Sequence, residues 1–116
     1  GVAVRSIDAG GHWLCPGLVD GLVQFGGGGG EGGFATRMPP LAAATALAAG
    51  VTTMVGALGT DDVTRSHADL LACARALAAS GLSAYTLTGS YQVPPVTLTG
   101  SVRGDLAFIP EMIGLG

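Results

Sequence analysis

Glu31 is the residue whose setting says most about chemistry. It is the only charge between Asp20 and Arg37, and it interrupts the run GGGGGEGG (26–33). A carboxylate there is either a solvated loop group or the holder of a cationic group on a ligand, and glycine amides without Cβ bulk let a ligand approach the backbone closely. Thr60 and Asp61 follow a second apolar run, and Ser90 and Tyr91 follow a third. If those runs are successive parallel strands, polar groups after each of them ring one mouth at the strands' C-terminal ends, where β/α proteins bind ligands. The spacing predicts a pocket at that end.

Other motifs point to less. GxGxxG can be matched at Gly27, Gly29, Gly32 and at Gly28, Gly30, Gly33, but the helix that follows begins only at the prolines, and no acidic residue lies between Glu31 and Asp61 to hold a ribose. The chain has no Lys, which excludes a P-loop. His12 and His67 have no partner at metal-ligand spacing and read as solvent or cap residues. Cys15 and Cys73 read as small core residues, with no CxxC and no basic segment upstream, so neither a disulfide framework nor a secretory signal is supported and a reducing cytoplasm is the default. Trp13 reads as packing, and Arg37, Arg65, Arg75 and Arg103 as surface or loop anchors.

The elements that must position these groups alternate between strand and helix, the pattern of parallel strands joined by crossover helices. Val2 to Ile7 read as an edge strand. LCPGLVDGLVQF (14–25) is an apolar strand that runs into the glycines. Pro39 and Pro40 can occupy the first turn of a helix that ends at Gly50 in the C′ position. VTTMVGAL (51–58) suits a parallel strand covered on both faces, in the sheet interior. Ser66 with Asp69 forms a capping box for a helix that stops at Gly81. LSAYTLTGSY (82–91) is the next strand, VPPVTLTGS a loop, VRGDLAFIP a short helix and MIGLG the start of a further strand. The repeat of TLTGS at 86–90 and 97–101 is too short for a solenoid and reads as coincident turn chemistry.

Composition bounds the possibilities. With 21 Gly and 18 Ala among 116 residues, the core is built largely of small side chains. Hydrophobic residues make up 48% and charged residues 11%, which excludes a disordered chain. Five Arg, eight acids and a net charge of −3 offer no cationic footprint for nucleic acid. The 23 uncharged residues from Met38 to Thr60 read as a helix plus a buried strand rather than a membrane span, because two prolines lead and Gly50 interrupts. The length suits one domain and is too short for a complete barrel, and both ends read as cuts through a longer protein.

Taken together, CPGLVDGLVQF, GGGGGEGG, MVGALGTD and LTGSYQVPPVTLTGSV resemble isoaspartyl dipeptidase, over almost the whole chain; the broader amidohydrolase superfamily shares only the PGxxD segment. The resemblance implies an α/β fold, part of a (β/α)₈ barrel of about four strands at 14–116, preceded at 1–13 by a strand of a small β-domain. It implies a zinc-dependent hydrolase of β-aspartyl dipeptides, cytoplasmic and homo-oligomeric in its complete form. Carried over by motif, Glu31 resembles the residue that holds the substrate's free amino group, Gly29 and Thr60 its neighbours in substrate binding, and Tyr91 the hydroxyl that stabilises the tetrahedral oxyanion. The binuclear zinc centre does not carry over. Where the family has His-x-His this chain has Leu22 and Gln24, and where it has a bridging carbamylated lysine this chain has Gly116. Each ligand lost weakens metal affinity and the acidity of bound water, so this chain is expected to hold no zinc and to be inactive as it stands. The alternative function is a non-catalytic dipeptide-binding or regulatory module.

Overall fold

The computed structural model of the chain describes residues 1–2 and 4–116. Its four strands are β1 (Leu18–Val23), β2 (Val51–Gly56), β3 (Ser83–Thr88) and β4 (Met112–Leu115), joined through helices α1 (Ala43–Ala48), α2 (His67–Ala79) and α3 (Val102–Phe108). A single 3₁₀ turn, Phe34–Thr36, lies in the loop after β1. The sheet is parallel throughout, in the order β1-β2-β3-β4. The fold is therefore α/β, with each strand paired to the next in sequence, as expected for part of a β/α barrel.

One face of the sheet carries the core. Phe25, Met54, Leu58, Leu82 and Ala84 pack with Ala46 of α1 and with Leu70, Ala74 and Leu77 of α2, the last three falling at the i, i+4, i+7 spacing of a helical stripe. Leu71, Ile109 and Met112 form a smaller cluster under α3. Small side chains make close approach possible: a Cβ on Gly56 would lie 2.3 Å from the Phe25 ring, so the tip of the fully buried ring abuts β2 at Gly56. The opposite face is open. Leu22 is 69% exposed, and Thr53 and Val55 are only half-buried, which corrects the expectation that β2 is covered on both sides. Its interior position between β1 and β3 holds.

The helix starts and stops follow local chemistry where it is strong. Ser66 Oγ accepts from the Asp69 amide at 3.2 Å, and α2 ends immediately before Ser80 and Gly81. The helix expected from the prolines is shorter, starting at Ala43. Each proline holds the residue before it extended, and the Leu41 amide is drawn off to Phe25 O at 2.8 Å, so the helix cannot open until that tie is passed. No strand forms in the described part of Val2–Ile7. A strand exists only by pairing, no described strand reaches this segment, and Val2, Val4 and Ile7 are exposed; Ala3 lies outside the described residues. Trp13 and Cys15 are also exposed rather than packed. Among the described residues no helix is long and apolar enough to cross a membrane.

Candidate active-site mouth

The loops after β1, β2 and β3 gather at the C-terminal ends of the strands, as the spacing predicts. The first two meet directly: Thr60 Oγ1 donates to Glu31 Oε1 at 2.7 Å. That hydroxyl, with help from the Glu31 backbone, holds the Glu31 carboxyl below the usual carboxylate range, so it stands ionised. Around it Gly30, Glu31, Phe34, Arg37, Thr60 and Asp61 line a cavity of about 230 Å³. Gly29 has φ +71° and bridges to Arg37, and a Cβ there would lie 2.5 Å from Thr36 O. Position and close approach both require glycine at 29.

Charges on the second loop brace the first. Arg37 Nε lies 3.5 Å from Asp61 Oδ2 and Arg65 Nε lies 3.8 Å from the same atom. Thr64 donates to both Asp61 oxygens, through its amide at 2.9 Å and through its hydroxyl, and these bonds hold the carboxyl below its usual range. The Ser90 and Gln92 side chains of the third loop hold the Asp62 carboxyl below its usual range as well.

Tyr91 stands apart from Glu31. It is 80% exposed on the rim of a separate cavity of about 330 Å³. That cavity is lined by Leu22, Gln24, Leu58, Leu87 and Gly116 among others, so the three positions that the resemblance aligns with metal ligands converge on one space. The expected single pocket is thus two adjoining ones. The donor set of the larger one does not fit zinc. Leu22 offers carbon, and the Gln24 amide is wedged between two glycines, since a Cβ on Gly28 would lie 2.2 Å from its Oε1 and one on Gly59 2.4 Å from its Nε2. A Cβ at Gly116 would lie 2.8 Å from Leu87 Cδ1, so a lysine there would require Leu87 to move. Among the described residues no group of three or more His, Cys, Asp or Glu could hold a metal ion.

Two organising residues escape a reading of the sequence. Asp105, in the first turn of α3, is fully buried and accepts from Leu98 N (3.0 Å), Thr99 N (2.7 Å), Thr99 Oγ1 (2.7 Å) and Thr88 Oγ1. Burial pushes its carboxyl up, but the bonds from Thr88, Leu98 and Thr99 outweigh it and bring the pKa down to about 2. Thr88 and Thr99 are the equivalent threonines of the two TLTGS copies, so the repeat supplies paired donors to one carboxylate and is not coincident. His67, expected at the surface, is buried, its Nε2 3.1 Å from Val96 O. The Val96 carbonyl also accepts from Gly89 N at 3.1 Å. Together these bonds close the base of the loop that carries Tyr91. The signals were present as an acid in a helix's first turn and a repeated Thr, but neither names its partner.

A parallel β/α sheet with polar loops at its C-terminal mouth places the chain among α/β proteins whose ligand site is built by the strand-to-helix loops. No family model matches it. Solved structures do, among them a β-aspartyl dipeptidase from the thermophilic, keratin-degrading Fervidobacterium islandicum AW-1 in complex with β-Asp-Leu dipeptide (52% identity, TM-score 0.84, 87% of this chain and 26% of that one), and another structure of β-aspartyl dipeptidase from the same organism (52% identity, TM-score 0.85, 87% and 28%). The chain spans about a quarter of the length of these structures. Over that span the resemblance to the isoaspartyl dipeptidases holds in both sequence and fold.

Proposed function

We propose that this chain is the N-terminal part of a β/α barrel that recognises β-aspartyl dipeptides, with residues 1–13 contributing a strand to a small β-domain. The observation that carries the reading is the Thr60–Glu31 hydrogen bond across two loops at the mouth of the sheet. It orients an ionised carboxylate beside a cavity, and a carboxylate so held takes up the free ammonium group of a dipeptide by charge-assisted hydrogen bonding. Gly29 offers backbone to the same ligand. Tyr91, exposed on the adjoining rim, carries a hydroxyl suited to an oxygen that gains charge as a β-peptide carbonyl turns tetrahedral. Two free cysteines suit a cytoplasmic setting, and the complete protein is read as a homo-oligomer.

Hydrolysis of β-aspartyl dipeptides is the activity that the resemblance supports. In the family, zinc supplies the activated water; the residues here do not fit it, so no step is drawn through a metal. The lining of the larger cavity by Leu22, Gln24 and Gly116 favours a second reading, binding without cleavage. Calorimetry with β-Asp-Leu on the complete protein, alongside metal analysis and product detection, separates them. Measurable affinity that is lost in Glu31→Gln supports dipeptide recognition, and no affinity, or affinity indifferent to that substitution, refutes it. Turnover with two zinc ions per chain assigns hydrolysis, whereas affinity in a metal-free, inert protein assigns binding alone.

A further inference from the structure

We propose that Arg65 is a positioning residue for Glu31, its guanidinium acting as a tie across the neck of the glycine loop. The inference rests on the dipeptide reading above and adds the group that would make Glu31's placement reproducible. Arg65 precedes the cap of α2, and its side chain is 9% exposed. Nη1 donates to Gly26 O at 2.6 Å; Nη2 donates to Gly28 O at 3.3 Å and to Met38 O at 3.0 Å. Gly26 and Gly28 lie on the outgoing limb of the loop and Met38 on the returning limb. The Met38 amide also donates to Gly28 O at 2.8 Å. Residues 29–37, Glu31 among them, are therefore closed off at their base by one side chain from the next strand's loop. The backbone lies directly on the guanidinium, for a Cβ on Gly27 would fall 2.2 Å from Nη1.

The loop needs such a tie. Seven of its first eight residues after Phe25 are glycines with no side chain to pack, and glycine loses more conformational freedom on ordering than any other residue. Asp61 adds an ionic link to both Arg65 and Arg37, so the same loop that offers Thr60 to Glu31 also anchors the limb returning from it. A lysine could not replace the arrangement: its ammonium is a compact point charge, whereas the planar guanidinium reaches carbonyls on two limbs at once.

The test uses the complete protein as wild type, Arg65→Lys, Glu31→Gln and the double variant, with two readouts. Hydrogen exchange compares the amides of Gly33, Thr36 and Met38 with those of β3, and calorimetry measures β-Asp-Leu affinity. Exchange in the loop at least roughly tenfold faster in Arg65→Lys with β3 unchanged, together with an affinity loss that disappears in the Glu31→Gln background, supports the proposal. Unchanged loop exchange, a rise shared equally by β3, or affinity losses that simply add would overturn it. If wild type does not bind the dipeptide, or Glu31→Gln binds as well as wild type, the dipeptide reading falls, and the exchange comparison alone decides whether Arg65 holds the loop. Should Arg65→Lys fail to fold, Gly27→Ala disturbs the same contact from the other side and is held to the same outcomes.

Discussion

Replacing Asp105 by Asn should convert a pH-dependent anchor into a pH-independent one. The wild-type carboxylate collects four donors from Thr88, Leu98 and Thr99, and its pKa stands at about 2 against the ordinary 3.8. Because the folded state binds this proton more weakly than the unfolded chain, the carboxylate's contribution is complete above pH 4 and is lost as pH falls through 2. At about 1.4 kcal/mol per pH unit, the displacement amounts to about 2.5 kcal/mol. Asn keeps one acceptor oxygen but turns an amide toward groups that were donating to a carboxylate. Urea unfolding of both forms at pH 6 and pH 2 should therefore show a stability gap that narrows by about 2 kcal/mol at the lower pH. A gap that is equal at the two pH values, or that widens in acid, would refute the assignment of Asp105 as the charged hub of this loop.

Gly56→Ala should lower stability by about 1–3 kcal/mol, because the new methyl meets a fully buried Phe25 ring with no room to yield; an unchanged urea midpoint would contradict the packing described. Thr60→Val removes the hydroxyl that keeps the Glu31 carboxyl low, so the loss of β-Asp-Leu affinity on acidification should begin at a higher pH than in wild type. Calorimetric titrations across pH 3–6 check the direction. Restoring two imidazoles with Leu22→His and Gln24→His places them on one face of the strand and should raise zinc affinity at least roughly tenfold over wild type. Equal zinc uptake by both proteins would show that the larger cavity is not where the metal is missed.

The alternation of strands and helices was legible because its signals are local: Ser66 and Gly81 bracket α2, and β-branched runs mark β2 and β3. The convergence of Glu31, Thr60 and Tyr91 on one end of the sheet followed from strand order alone. What escaped is long-range. Nothing near Leu41 announces that its amide will bond Phe25 and delay α1, and nothing near His67 reveals the Val96 carbonyl that draws the ring inward. Asp105 could be seen as a first-turn acid, but its donors come from the end of β3 and from a loop whose shape only the fold defines. Trp13 and Cys15 failed for the opposite reason, since an apolar side chain is buried only where something covers it. The division into two cavities was equally invisible, because it depends on Gln24 lodging between Gly28 and Gly59.

The order β1-β2-β3-β4 also bears on how the molecule is made. Each strand bonds the one synthesised just before it, at a separation of roughly thirty residues. A nascent chain can thus extend the sheet at a single margin as it leaves the ribosome, without waiting for a distant segment. Arg65 follows β2 in the chain, so its bonds to Gly26, Gly28 and Met38 can form only after the second strand has been synthesised, later than the glycine run that they tie.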